Sequence, residues 1–207
     1  MERKDFLVKA SLAAFAVSAC GTIKPTKEVE GERFIGSCAT TNDILGPFYR
    51  NSSPSRSDLT FEGIEGSIVE IKGRILGPDC VTPLENATVE IWHCDTEGRY
   101  DNDTDRYDHR GQQKTNKAGE YSFKTILPGK YLNGELYRPA HVHFRVTAPD
   151  HQSLVSQMYF MGDPHIEKDP WASLDKAKAR IVPIVLEDVK GNVVANFDVL
   201  LTAGSDM

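Results

Sequence analysis

The chain has 207 residues, of which 40% are hydrophobic and 26% charged, the composition of an ordinary globular protein. Its formal net charge is −6, and no basic block follows the first residues, which argues against nucleic acid or an anionic lipid surface as a partner. The length fits one domain with a short extension.

The first twenty residues have the pattern of an export signal. The charged start MERKDFLVK precedes the apolar run ASLAAFAVSA, which is too short to span a bilayer. The run ends at VSAC, which resembles a bacterial lipobox, whose cysteine is lipidated and becomes the new N-terminus. We therefore expect an exported, membrane-anchored lipoprotein: residues 1–19 signal peptide, residues 20–36 a polar tether starting at Cys20, and residues 37–207 the folded domain. The alternative is an ordinary secretory signal with a chance cysteine, and the export route, general or twin-arginine, stays open.

Three cysteines remain in the predicted domain, Cys38, Cys80 and Cys94. In an oxidising compartment two of them can form a disulfide, and all three pairings stay open. The unpaired cysteine is expected to be buried and inert.

The rest of the sequence predicts a mainly β protein. In chain order, strands are predicted at residues 67–76, 88–92, 120–126, 141–146 and 153–160, and RIVPIVLED and VVANFDVLL then flank VKGN like a hairpin. Residues 93–115 lack strand character and are expected to form a long functional loop, and only residues 171–180 have the pattern of a short helix. This spacing predicts a β-sandwich of antiparallel strands with long irregular loops.

One predicted strand, in YRPAHVHFRV, carries polar residues opposite its apolar face. Val142 and Phe144 point to one side, and His141 and His143 to the other. Histidines two apart on a strand lie about 6.6 Å from each other, so both imidazoles can bind one metal ion. The alternative is a polar pair on a solvent-facing side of the sheet.

Two tyrosines follow glycine-containing turns near this strand in the predicted fold. Tyr100 ends the motif GRY and Tyr131 ends PGKY. A phenolate is a hard oxygen donor with a free pKa near 10, so it needs a strongly Lewis-acidic cation such as Fe(III) to stay ionised. Two tyrosinates and two neutral imidazoles form a ligand set suited to Fe(III). Tyr137 and Tyr107 remain alternative ligands.

Several motifs in order resemble the intradiol ring-cleavage dioxygenase family: GPFYR, ATVEIWHCDTEGRYDN, RGQQKTNKAGEYSFKTILPGKY, YRPAHVHFRV and QMYFMGDP. The resemblance runs from about residue 39 to residue 170 and is closest to the protocatechuate-type core. It implies a non-haem Fe(III) enzyme that uses O₂ to cleave a catechol-type ring between its two hydroxylated carbons. The product would be a cis,cis-muconate-type diacid.

The resemblance also implies roles for individual residues. The equatorial ligands would be Tyr100 and His141, and the axial ligands Tyr131 and His143. Arg138 would lie over the substrate ring and stabilise its negative charge, with Gln157 beside the ring. Tyr131, displaced by the diol, would act as a general base.

Other readings of these residues stay open. The chain could be a lipoprotein β-sandwich binding module with a vestigial site, or a zinc or copper protein that uses the two histidines. Arg138 could form only a surface salt bridge, and Gln157 could satisfy backbone groups. Asp163 and His165 are expected to be turn residues. The sequence names neither the diol nor the oligomeric state.

Overall fold

The computed structural model describes residues 38–186 and 193–204. The predicted signal peptide, the predicted lipidation site Cys20 and the predicted tether lie outside these residues. Within the described ranges, no helix has the length and apolar character that crossing a membrane requires.

Twelve strands form two five-stranded sheets and one small hairpin in the described part of the chain. The strands are β1 (Ile68–Leu76), β2 (Thr88–Trp92), β3 (Arg110–Lys114), β4 (Glu120–Ile126), β5 (Tyr131–Asn133), β6 (Leu136–Arg138), β7 (His141–Thr147), β8 (Leu154–Phe160), β9 (Ile181–Val182), β10 (Val185–Leu186), β11 (Val193–Asn196) and β12 (Val199–Leu200). The first sheet has the order β10-β11-β1-β12, with β4 also paired to β1, and the second has the order β3-β2-β7-β8-β9. The predicted β-sandwich is confirmed. Its sheets are mixed, because β1 pairs in parallel with β11 and β12, and β8 with β9.

Alternate residues of both sheets form one apolar core. Ile71 of β1 and Phe123 of β4 meet Ile91 of β2 and Phe144 of β7 in a cluster from which solvent is fully excluded. Burial of a side chain of this size contributes about 1.5–3 kcal/mol. Because side chains alternate along a strand, the histidines of β7 point away from this core.

The segment 93–115 was predicted to lack strands, and this prediction is wrong for β3. Its sequence, RGQQK, is polar, but its backbone pairs with β2, with Glu90 opposite Gln112. Main-chain hydrogen bonds can form a strand that has no alternating apolar pattern, so this strand could not be predicted from such a pattern. The β5–β6 hairpin was also not predicted.

The short helix predicted over residues 171–180 is only partly present. A 3₁₀ helix covers Asp175–Arg180, and another covers Ile166–Lys168. The predicted C-terminal hairpin corresponds to the antiparallel pair β10 and β11, whose connection, residues 187–192, lies outside the described ranges.

The disulfide joins Cys38 to Cys80, with the Cα atoms 6.2 Å apart. It ties the start of the described chain to the loop after β1. Cys94 is free and buried, as expected for the unpaired cysteine.

Candidate active site

Two histidines of β7 lie side by side on the strand face that points away from the core. His141 and His143 are each only 1% exposed, and their ring centroids are 4.9 Å apart, so the pair does not face solvent. The Nδ1 of His141 lies 2.7 Å from the carbonyl oxygen of Pro139. That nitrogen therefore carries the proton and donates it, and Nε2 keeps a free lone pair.

Burial keeps both imidazoles neutral. Desolvation, followed by the nearby Arg138 charge, lowers the pKa of His141 to about 4. Desolvation and the neighbouring His141 lower the pKa of His143 well below its ordinary value. Trp92 stacks on the His143 ring, with centroids 4.8 Å apart, and the buried Nδ1 of His143 has no hydrogen-bond partner among the described residues. Neutral imidazoles with unshared lone pairs are good metal ligands.

A tight turn after β2 places Tyr100. The Asp95 carboxylate accepts the backbone N–H of Arg99 at 2.9 Å and so closes the turn. Gly98 has a φ of +84°, and a Cβ there would lie 2.8 Å from the Cβ of Tyr131. Glycine therefore lets the turn approach the β5–β6 hairpin, which brings the rings of Tyr100 and Tyr131 to 5.8 Å.

The β5–β6 hairpin places Tyr131 directly opposite Arg138. Tyr137 projects from the other face of the hairpin and is 45% exposed. The Cζ of Arg50 lies 3.9 Å from the ring centroid of Tyr107, and the Tyr107 hydroxyl donates a hydrogen bond to a backbone carbonyl. The hairpin thus turns Tyr131 inward, and the two alternative tyrosines make other contacts.

The two tyrosines and two histidines form one cluster. The phenolic oxygen of Tyr100 lies 3.5 Å from Nε2 of His141. Ring centroids are 5.7 Å apart for Tyr131 and His141, and 6.2 Å apart for Tyr100 and His143. No group of three or more His, Cys, Asp or Glu side chains able to hold a metal exists among the described residues. The side-chain donors that meet in this cluster are two phenolic oxygens and two imidazole rings.

The donor chemistry of this cluster fits Fe(III). Desolvation raises the pKa of Tyr100 well above its ordinary value, with further contributions from Cys94 and Tyr131. Only a strongly Lewis-acidic cation can ionise a phenol in such a place. Two hard oxygen donors and two neutral nitrogens match that requirement.

Arg138 and Gln157, the two residues predicted to lie at the substrate ring, are found beside this cluster. The Cζ of Arg138 is 6.0 Å from the Tyr131 ring centroid and 4.3 Å from that of Trp171. Its Nε donates to Asp169 at 2.8 Å and its Nη2 to the Gln157 side-chain oxygen at 2.9 Å. Arg138 is only 2% exposed, so its ion pair is buried, not on the surface. In the described ranges its Nη1 makes no hydrogen bond, which leaves one donor group for a ligand.

A second polar layer holds Gln157 in place. Its amide nitrogen donates to the backbone carbonyl of Ile44 at 3.0 Å, and its oxygen lies 2.9 Å from the Tyr159 hydroxyl. That hydroxyl also lies 3.0 Å from Asp43, which forms a buried ion pair with Arg180 at 2.6 Å. Sequence reasoning missed these residues, because none of them belongs to a local pattern that marks a site.

The motif GPFYR covers the cluster from another side. Phe48 stacks on Tyr100 with centroids 4.4 Å apart and meets Tyr131 edge-on at 5.9 Å. Gly46 has a φ of +75°, and a Cβ there would lie 3.1 Å from Cε1 of His143. A glycine therefore lets this segment pass close over the histidine. Phe48 and Gly46 were not predicted as site residues.

Asp163, predicted to be a turn residue, supports the strand of histidines from outside the cluster. Its carboxylate accepts the backbone N–H of Ala140, just before His141, and that of His165, both at 2.8 Å. The arrangement fixes the start of β7.

A cavity of about 830 Å³ lies elsewhere, along β1 and β4, and its lining includes Lys72, Arg74 and Tyr121. None of the predicted site residues lines it. This cavity is therefore separate from the cluster of Tyr100, Tyr131, His141 and His143.

Comparison with known proteins shows the family to which the chain belongs. The family model Dioxygenase_C, described as Dioxygenase, matches residues 44–203, most of the chain and every predicted site residue. The chain belongs to this dioxygenase family. Its residues 1–43, with the predicted signal and tether, precede the matched range.

The chain is moderately similar to individual relatives. It is 30% identical over 151 residues to the chlorocatechol 1,2-dioxygenase of Cupriavidus pinatubonensis, covering 63% of this chain and 58% of that protein. It is 33% identical over 147 residues to the protocatechuate 3,4-dioxygenase beta chain of Burkholderia cepacia, covering 62% of each. The chain thus spans less than two thirds of the length of these curated relatives.

Two solved structures share the fold of this chain. The dioxygenase domain of a carbohydrate-binding fusion protein from Streptomyces sp. SirexAA-E superposes with a TM-score of 0.70 at 27% identity. That match covers 80% of this chain and 99% of the other. Catechol 1,2-dioxygenase from Acinetobacter sp. ADP1 gives a TM-score of 0.71 at 28% identity, over 81% of this chain and 64% of the other.

Proposed function

We propose that this dioxygenase is a non-haem Fe(III) enzyme that uses O₂ to cleave a catechol-type ring between its two hydroxylated carbons. The product is a cis,cis-muconate-type diacid. The observation that carries the proposal is the convergence of two tyrosines and two neutral histidines in one cluster. Relatives named for chlorocatechol, protocatechuate and hydroxyquinol support a dihydroxylated aromatic substrate.

In this proposal Tyr100, Tyr131, His141 and His143 hold the ion. Bound there, Fe(III) supplies a Lewis acid that binds the diol and draws electron density from its ring. The site has tyrosines where the Fe(II) facial triad would have a carboxylate beside two histidines. This difference favours the cut between the hydroxylated carbons over a cut beside them.

The chain's own residues orient the diol and handle its protons. As a tyrosinate, Tyr131 would accept one hydroxyl proton of the diol as a general base and so become a neutral phenol. The Nη1 of Arg138 donates a hydrogen bond to the negative charge that develops on the substrate. Gln157 and Asp169 hold the guanidinium in place through Nη2 and Nε. Because Arg138 is already fixed, little reorganisation is needed during the reaction.

A visible spectrum and metal analysis, followed by addition of catechol, test the proposal. We expect one iron per chain, a red-brown colour from tyrosinate-to-Fe(III) charge transfer, and a colourless product that absorbs in the near ultraviolet. A yellow semialdehyde product would show a cut beside the diol. A colourless protein containing zinc or no metal would favour the binding-module or zinc alternative. Either result contradicts the proposal.

The ligand assignment predicts the effect of removing single phenolic oxygens. Replacing Tyr100 or Tyr131 with phenylalanine is expected to shift or weaken the visible band while the fold survives, because each change removes one tyrosinate donor. Tyr137→Phe, on the opposite face of the same hairpin, is the matched control and should keep the band. An unchanged band in both Tyr100→Phe and Tyr131→Phe would show that the ligands are wrong.

We also propose that the enzyme is exported and anchored through a lipid on Cys20, with residues 20–36 linking the lipid to the domain. The lipobox VSAC after a short apolar run supports this localisation. Metabolic labelling with a fatty-acid analogue should label the wild type and not Cys20→Ser. Equal labelling of both proteins, or no labelling of the wild type, would rule out the lipobox.

A further inference from the structure

The β5–β6 hairpin has one face turned towards the candidate active site. Tyr131 pairs with Arg138, and Asn133 pairs with Leu136, at alternate positions along the two short strands. Residues two apart on a strand share a face, so these four side chains project to the same side. Tyr137 belongs to the other face.

Leu136 therefore lies on the site-facing side, about 6.6 Å along the strand from Arg138. It is an apolar side chain that is 49% exposed and belongs to neither buried apolar cluster of the described residues. A substituent that extends from a diol ring held near Arg138 and Tyr131 would meet it.

Charges near Leu136 disfavour an anionic substituent. Its neighbour at the hairpin tip is Glu135. Arg138 is already paired with Asp169, and the Lys130 ammonium lies 4.5 Å from the Tyr137 ring centroid, on the opposite face. Because the free Nη1 of Arg138 is assigned to the charge on the diol itself, the described residues of this hairpin offer no further cation for a carboxylate group on the substrate.

The segment GPFYR, residues 46–50, also contacts the cluster through an apolar side chain. Phe48 contacts the rings of both Tyr100 and Tyr131. An aromatic ring in front of these tyrosines would therefore have Phe48 on one side and the hairpin face with Leu136 on another.

We propose that Leu136 contacts the ring substituent of the substrate, and that the enzyme prefers catechols with a neutral, apolar substituent at position 4 over 3,4-dihydroxybenzoates. This inference rests on the proposed function and specifies its substrate class. Leu136 is a specificity-determining residue in this scheme and takes no part in the bond-breaking step.

The test measures kcat/KM of the iron-loaded protein with catechol, 4-ethylcatechol and protocatechuate. Wild type should prefer 4-ethylcatechol to protocatechuate. Leu136→Ala should lower kcat/KM for 4-ethylcatechol by about 10-fold and leave that for catechol nearly unchanged, as expected for lost contact with one or two methylene groups. Leu136→Lys should raise the protocatechuate to 4-ethylcatechol ratio by about 10-fold or more, because it adds a cation. Leu132→Ala, on the other face and 56% exposed, is the matched control.

The results separate this inference from the function on which it rests. Turnover of all three diols with a wild-type preference for protocatechuate, or equal losses for every diol in Leu136→Ala, contradicts this inference alone. The same holds if Leu132→Ala reproduces the effect, or if Leu136→Ala changes the oligomeric state and not the selectivity. A wild type that holds iron and turns over none of the diols contradicts the proposed function and this inference together.

Discussion

Replacing Arg138 with alanine is expected to lower kcat by about 10²-fold or more while the iron-dependent colour remains. The guanidinium stays cationic and has no lone pair to give a metal, so its loss removes no ligand. It does remove the Nη1 donor that the buried network with Asp169 and Gln157 leaves free for the substrate. A lower kcat with an unchanged colour would therefore distinguish a role of Arg138 in catalysis from a role in iron binding.

Turnover of catechol, the visible spectrum and the iron content are measured on the same preparation. Arg138→Lys keeps the charge but loses the planar fork, so we expect an activity between wild type and Arg138→Ala. Arg145→Ala is the control, because this arginine has a 43% exposed side chain and contacts Tyr49 and Glu90, outside the cluster. Full activity in Arg138→Ala, or a loss of colour together with iron, would mean that the proposed role is wrong.

The histidine pair could be predicted because its signal is local. A strand alternates its faces, so HVHF alone places two histidines together and two apolar residues opposite. The β-sandwich was predictable for the same reason, since its core strands carry short apolar runs between turn residues. The placement of Tyr100 and Tyr131 came from the resemblance of GRY and PGKY to a family, because no periodicity joins two turns that lie 31 positions apart.

Other features depend on contacts that no local pattern encodes. The polar segment β3 forms a strand because its pairing with β2 uses backbone hydrogen bonds. The parallel pairing of β1 with β11 joins residues that are far apart in the chain. Asp169 lies 31 residues after Arg138 and reaches it only because the chain after β8 folds back over β6. Residues such as Asp169, which support the site through contacts distant in sequence, are therefore harder to predict than the tyrosines and histidines of the cluster itself.

Asp169→Ala is expected to destabilise the folded protein by about 3–5 kcal/mol, because it leaves the Arg138 cation buried without a counter-ion. The side chains of Arg138 and Asp169 are 2% and 0% exposed. The same carboxylate accepts the backbone N–H groups of Trp171 at 2.9 Å and Ala172 at 2.7 Å. Loss of Asp169 thus leaves a charge and two amides unsatisfied.

Urea or thermal unfolding at matched iron content measures this loss. Asp175→Ala is the control. Asp175 pairs with Lys178 at 2.7 Å on the protein surface, so its replacement should cause no measurable change in stability. The double variant Arg138→Met with Asp169→Leu should recover the part of the loss that comes from the unpaired Arg138 charge, because it removes both buried charges, while the amides of Trp171 and Ala172 stay without an acceptor. An Asp169→Ala protein as stable as wild type would show that the ion pair contributes little.

The contribution of Asp169 should also depend on pH in a defined direction. Burial alone would raise the pKa of Asp169, but the Arg138 hydrogen bond and the Ala172 and Trp171 amides outweigh it and hold the pKa below its usual value. A carboxyl whose folded pKa is depressed stabilises the protein above the ordinary pKa of about 3.9, and this stabilisation is lost as the pH falls through the folded value. The difference in unfolding free energy between wild type and Asp169→Asn should therefore be constant near neutral pH and shrink only below about pH 4. A difference that already shrinks between pH 7 and 5 would require another titrating group, and the Arg138–Asp169 pair would not be its source.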